Sequence, residues 1–275
     1  MDNIVVLISI GFLIGAMGTL IGAGGGFILV PVLLLTHPAL PPDIVTAVSM
    51  ATVAANAVSG SIAYARARRI DYRAGLLFAA FTIPGSIGGV LITPYIPRHL
   101  FDIVFSCLLI LLAFFLFFNK SLPDENGVIP KYRQGWKFHK QTDRSGETYA
   151  YSYNQWRGIA ISILVGFLSP LLGIGGGIIH VPALVKWLYF PVHIATATSH
   201  FILAIMSTVS VITHIRQGSY HDPYIVRMVI GLTIGVVIGA QLGAWLSHRI
   251  KGNIIVKSLA ICLGLVGIRI LIMAL

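Results

Sequence analysis

The stretch Gly22-Ala23-Gly24-Gly25-Gly26-Phe27-Ile28-Leu29-Val30-Pro31 recurs as Gly173-Ile174-Gly175-Gly176-Gly177-Ile178-Ile179-His180-Val181-Pro182. Carried on to Leu33 and Leu184, the copies align over twelve positions, of which eight are identical. A repeat of this kind implies an internal duplication and two related halves. Both copies lie inside long apolar runs, Ile4 to Leu35 and Ile159 to Tyr189. A helical glycine costs about 1 kcal/mol relative to alanine and an interior proline about 3. Glycine triplets followed by Pro31 and Pro182 therefore predict two broken helices, with the prolines as part of each break. Inside a bilayer, irregular backbone is tolerated only where protein covers it or water reaches it. Unwound glycines leave N–H groups free, and the half-helix that follows presents its positive end. Together these make an anion site without a basic side chain. The plainer reading is that the glycines only let helices pack closely.

Composition sets the class. Of 275 residues, 56% are hydrophobic and only 10% charged, with mean hydropathy +0.88. Soluble domains carry about 25% charged residues. The chain is read as an integral membrane protein, and at about 20 residues per span it has room for six to eight spans. The net charge of +10 does not point to nucleic acid, because the basic residues fall in loops between apolar segments. It sets a positive potential that favours anionic substrates. Cys107 and Cys262 lie in apolar segments with no CxxC pairing and are read as small filler. Met1-Asp2-Asn3 lacks the basic start of a signal peptide, so the first segment is expected to stay.

Three regions follow: a first transmembrane repeat (1–118), a loop (119–156) and a second repeat (157–275). The first broken segment is expected as a helix of about 17 residues, a break, and a short helix ending near Thr36. Three further segments follow, Ile44 to Tyr64, Ala74 to Ile92 and Leu100 to Phe118. The last has no glycine and suits a lipid-facing helix. The second half repeats the order with Ile194 to His214, Tyr224 to Leu246 and Ile254 to Leu275. Thr46-Ala47-Val48-Ser49 aligns with Thr196-Ala197-Thr198-Ser199, and Gly85 to Gly89 aligns with Gly239 to Gly243. In the loop, alternating Tyr149, Tyr151 and Tyr153 suggest a hairpin.

If each broken segment spans once, the halves are parallel; if it folds back, they are inverted. Arg66, Arg68, Arg69, Arg73 and the basic loop 119–156 belong on the cytoplasmic side. Inversion adds Lys186, Arg249 and Lys251 to that side and leaves Arg98, Arg216 and Arg227 outside, the better charge bias. The expected fold is an all-α polytopic membrane protein of two inverted repeats, each a glycine-broken helix or hairpin plus three spanning helices.

The GxGGGxxxxP run in both halves, each followed by Thr-Ala-x-Ser, resembles the sulfite exporter TauE/SafE family, also called the 4-toluene sulfonate uptake permeases. The resemblance covers both halves and omits 119–156. It implies a permease of the cell inner membrane moving sulfite, sulfonates, sulfoacetate or similar anions, by export or uptake. His180 and His200 stand where the first half has Leu29 and Met50.

The backbone N–H groups of Gly24, Gly25, Gly26, Gly175, Gly176 and Gly177 are the expected anion ligands. Ser49, Thr52, Asn56, Thr198 and Ser199 would add hydrogen bonds, and Gln241 is a further polar candidate. For each hydroxyl the alternative is a local bond to the i−4 carbonyl. No Asp or Glu falls near the middle of a span, so proton coupling would use His200 or His180. No metal or other cofactor is expected: His180 and His200 lack an HExxH setting, and the glycines lack the strand and acidic partner of a dinucleotide site. The rivals are an anion channel and, further off, an intramembrane enzyme acting on a lipid-linked phosphate.

Overall fold

The computed structural model describes residues 3–118, 136–247 and 252–274, without the side chains of 116, 118, 252–259 and 262. The first half contains α1 (Ile4–Ile21), α2 (Gly26–Thr36), α3 (Pro42–Arg66), α4 (Tyr72–Ile92) and α5 (Arg98–Phe118). A hairpin of β1 (Trp136–Thr142) and β2 (Thr148–Asn154) follows. The second half contains α6 (Gln155–Leu172), α7 (Gly177–Lys186), α8 (Val192–Gln217), α9 (Pro223–Leu246) and α10 (Gly252–Ala274). Among the described residues, seven helices are long and apolar enough to cross a membrane. Side-chain oxygens of Asn3, Asp71, Asn154 and Asp222 cap the starts of α1, α4, α6 and α9.

Glycine decides which helices pair. On α9, Gly231, Gly235, Gly239 and Gly243 recur every four residues and so line one face. A side chain at Gly235 would sit 2.6 Å from Phe12 N, and one at Gly15 would sit 2.6 Å from Val236 Cα. The α1 and α9 backbones are therefore in direct contact, as small residues permit in membrane helices. Contacts from Gly231 to Leu7 and from Gly243 to Ala16 show the two running parallel. The same device joins α4 to α6, where Gly85 meets Phe167 N and Gly166 meets Thr82. Gly85 to Gly89 and Gly239 to Gly243 are thus packing surfaces.

The central pair, α3 and α8, runs antiparallel, with Gly60 against His200 and Val53 grouped with Leu203 and Met206. So does the outer pair α5 and α10, where Gly264 faces Ala113 and Gly267 faces Leu109. On α5 only one side meets surroundings: Leu111 and Phe114 are exposed, while Phe101, Phe105 and Leu109 are fully buried. The exposed side agrees with the expectation of a lipid-facing helix, and α10 covers the other. Cys107 is exposed, not filler; the Cys262 side chain lies outside the described residues.

The tyrosine alternation does form an antiparallel hairpin. Tyr151 and Tyr153 pack on Phe190, with centroids 4.6 and 5.0 Å apart. The hairpin also holds the α3–α4 turn: Gln141 donates to the Arg68 and Ile70 carbonyls, and Arg144 N–H to Ala67 O. Arg69 donates to Asp143 at 2.9 and 3.2 Å in a buried ion pair. The 66–72 turn, the hairpin and the turn after α7 therefore share one face of the molecule. Contacts from Arg98 to Leu40 O and from His37 to Tyr224 join the 37–42, 93–98 and 218–223 turns. Lys120, Lys131, Arg133, Arg249 and Lys251 lie outside the described residues.

Burial alone would raise the Asp143 carboxyl, but hydrogen bonds from Ser145 and Arg69 and the Arg69 charge hold it below the usual range. A depressed carboxylate stabilises the fold above its unfolded value, about 4, and the contribution is lost as pH falls through the lower folded value. Asp143→Ala should therefore lower stability by about 2 kcal/mol at neutral pH, and the gap from wild type should close in strong acid. Thermal unfolding of both proteins across that pH range checks this.

Candidate functional site

Both broken segments end the first helix on a glycine in the left-handed region, Gly22 (φ 77°) and Gly173 (φ 69°). Left-handed glycines continue at Gly24, Gly25, Gly175 and Gly176. A residue with a Cβ is strained there, which explains why glycine recurs at these positions. The short helices then start at Gly26 and Gly177. Pro31 and Pro182 lie inside those helices, five residues past the start in each case, and do not make the breaks. Each only removes one helical donor; the left-handed glycines do the breaking.

The two breaks touch. A side chain on Gly26 would come within 2.9 Å of Ile174 C, and one on Gly177 within 2.6 Å of Ala23 Cα. The Thr-Ala-x-Ser segments hold this crossing reciprocally. Ser49 Oγ donates to Gly173 O at 2.6 Å, and its counterpart Ser199 donates to Gly22 O at 3.4 Å. Each half thus caps the carbonyl that ends the other half's broken helix.

Around the first break, Asn56 Nδ2 donates to Gly24 O at 2.8 Å, and Asn56 Oδ1 accepts from Thr19 Oγ at 2.7 Å. Thr19 Oγ is also 3.3 Å from His200 Nε2, and Tyr64 donates to Thr19 O. Thr19 and Tyr64 were not foreseen; both sit in apolar sequence, and only the fold brings them to the break. His200 is fully buried, and its Nδ1 has no partner.

The other candidates are placed differently. Thr52 bonds the Val48 carbonyl in its own helix. Thr198 accepts the Asp71 N–H at the start of α4. Gln241 is exposed and donates to Ser59, apart from the breaks. His180 is buried on α7 with Nε2 3.4 Å from Ser162 Oγ.

The backbone donors divide clearly. Gly24 N–H donates to Gly18 O and Gly177 N–H to Gly175 O. The N–H groups of Gly25, Gly26 and Phe27, and of Gly175, Gly176 and Ile178, find no acceptor among the described residues. Buried backbone donors are nearly always paired. Two sets of free donors, each at the positive end of a short helix and on breaks that touch, concentrate positive potential with no charged side chain. Among the described residues, no cluster of three His, Cys, Asp or Glu side chains could hold a metal.

A polytopic all-α membrane protein with interrupted helices meeting in its interior has the general plan of a transporter. The chain belongs to the sulfite exporter TauE/SafE family, whose pattern matches residues 7–270. It is therefore a membrane transporter and not an enzyme. It is 30% identical to the probable membrane transporter protein YunE of Bacillus subtilis, over 98% of this chain and 97% of that one. It is 26% identical to the probable membrane transporter protein MJ0441 of Methanocaldococcus jannaschii, over 76% and 71%. It is 24% identical to YdhB of Bacillus subtilis, also a probable membrane transporter protein, over 82% and 84%. No solved structure matches the chain.

The reciprocal serines carry a prediction. Ser49→Ala leaves the buried Gly173 carbonyl unpaired and should cost about 1–2 kcal/mol. Ser199→Ala should cost less, because its bond is long. Thermal unfolding of the two purified variants compares them, and equal stability to wild type in Ser49→Ala would refute the role.

Proposed function

We propose that the protein is a secondary transporter that carries a small sulfur-containing or related organic anion across the cell membrane. The anion is held where the two breaks meet, by the N–H groups of Gly25, Gly26, Gly175 and Gly176. The observation that carries this reading is the pair of buried donor sets without acceptors, one on each of two breaks that touch. Asn56 and the serines Ser49 and Ser199 frame the breaks through their carbonyls. Membership in a family described as sulfite exporters supports the choice of anion.

The halves are inverted repeats, with the hairpin on the cytoplasmic side. Support comes from the antiparallel pairing of α3 with its counterpart α8 and of α5 with α10. It also comes from the hairpin's contacts with both the arginine-rich 66–72 turn and Phe190 beyond Lys186, which puts these basic loops together. Proton coupling, in this reading, runs through His200. Its ring packs edge-on to Tyr64 at 5.7 Å and meets Thr19, and its free Nδ1 can take a proton beside the first break.

Gly25→Leu and Gly176→Leu should each abolish sulfite counterflow in proteoliposomes while the protein still inserts. Normal flux in both would sink the glycine site. His200→Ala should flatten the dependence of flux on pH; an unchanged profile removes it from coupling.

A further inference from the structure

The breaks are symmetric in backbone but not in the side chains beside them. Gly18, Thr19 and Asn56 of the first half correspond to Ser169, Pro170 and Met206 of the second. In the first half, a side chain at Gly18 would meet Asn56 Nδ2 at 2.8 Å and Gly25 N at 2.5 Å. That space is filled by the Asn56 amide, which ties down Gly24 O. In the second half the amide is replaced by a thioether, and the polar group comes instead from α6. Ser169 is fully buried, and its hydroxyl lies 3.0 Å from the point where a Gly176 side chain would begin, beside Met206 Cε at 3.1 Å.

Ser169 Oγ has no hydrogen-bond partner. Among the described residues, Ser61 on α3 shares this state, but most hydroxyls buried in these helices do not. Thr52, Ser162, Ser207 and Ser210 all donate to the carbonyl four residues back. Ser169 could use the same local bond and does not. Its neighbours, the N–H groups of Gly175, Gly176 and Ile178, are donors without acceptors. Unused N–H donors beside a hydroxyl whose proton is free to be donated are complementary to a ligand that only accepts, which is what an oxyanion is.

We propose that Ser169 is a substrate-binding residue: its hydroxyl donates to one oxygen of an oxyanion seated on the second break, which is the principal binding side. The first break, tied off by Asn56, serves as the more rigid wall. This inference rests on the anion-carrier reading above and goes beyond it by assigning a side chain and an asymmetry between the repeats.

The test is a thermal-shift titration of purified wild type, Ser169→Ala and Ser210→Ala with sulfite, sulfate, methanesulfonate and acetate, since a ligand that binds the folded state raises stability by mass action. Removing a hydroxyl that has no partner should leave the unfolding temperature without anion unchanged or slightly higher. It should weaken the response to the effective anion roughly tenfold, the size of one hydrogen bond to a charged group. Ser210→Ala should respond as wild type does. If wild type responds and Ser169→Ala responds equally, the Ser169 assignment falls and the carrier reading stands. A drop in anion-free stability with unchanged affinity would make the hydroxyl structural and also overturn it. Silence of the wild type to all four anions sinks both.

Discussion

Everything in this molecule depends on two stretches of bare backbone being pressed together without side chains between them. Gly26 lies against Ile174 and Gly177 against Ala23, at distances where no Cβ fits. Such a contact is unfavourable to build, because it exposes peptide groups in a low-dielectric interior where each unpaired one costs about 1–3 kcal/mol. The surroundings lower that cost selectively. At the crossing the carbonyls of Gly173, Gly22 and Gly24 are capped by Ser49, Ser199 and Asn56, while the N–H groups beside them are left without acceptors. The imbalance is the chemical content of the site. A region that caps its carbonyls and leaves its amides open is polarised for a negative ligand, and it achieves this without a charge that would need a counterion in the bilayer.

The crossing also explains the glycine usage elsewhere. Short helices can only meet at the centre if the long helices around them approach closely. The four glycines of α9 against α1, and those of α4 against α6, bring backbones into contact on both flanks. Backbone packing of this kind is rigid, because no rotamer can relax it, and it holds α1 and α6 at the angle that delivers Gly22 to Gly177 and Gly173 to Gly26.

Much of this could be read from the chain. The doubled glycine run, its apolar setting and the spacing of the later segments locate each break and each long helix to within a few residues. That legibility has a physical basis: the left-handed conformation excludes other residues, so backbone geometry leaves a direct mark in sequence. Side-chain partnerships leave no such mark. Nothing in Ser49 or Ser199 distinguishes a donor aimed at substrate from one aimed at a carbonyl in the other half. Thr198, adjacent to Ser199 on the helix, points to Asp71 instead. Pro31 and Pro182 misled for a related reason, since proline is tolerated within a helix when the carbonyl it deprives can be left to other partners. Ser169 escaped because its counterpart is a glycine, so alignment of the halves did not single it out.

The hairpin is joined to the crossing by consecutive bonds. Tyr151 donates to Asp71 at 2.7 Å; Asp71 caps α4 and gives its N–H to Thr198; Ser199, the next residue, reaches Gly22 of the first break. Burial pushes the Tyr151 hydroxyl far up, and the Asp71 charge and hydrogen bond add to this, so the phenol keeps its proton and the link holds as a neutral donor to a carboxylate. The start of α8 is therefore fixed from two directions, by the hairpin on one face and by the break in the interior. A rearrangement that opened the crossing toward that face would have to move the start of α8, and with it Thr198 and the Asp71 cap. The hairpin can remain seated through such a movement only if α4 travels with α8, which the contact of Gly75 with Phe201 and Thr198 favours. Because α4 is also packed backbone to backbone on α6, through Gly85 and Gly166, Asp71 joins the start of α8 to the hairpin and to the α4–α6 pair at once.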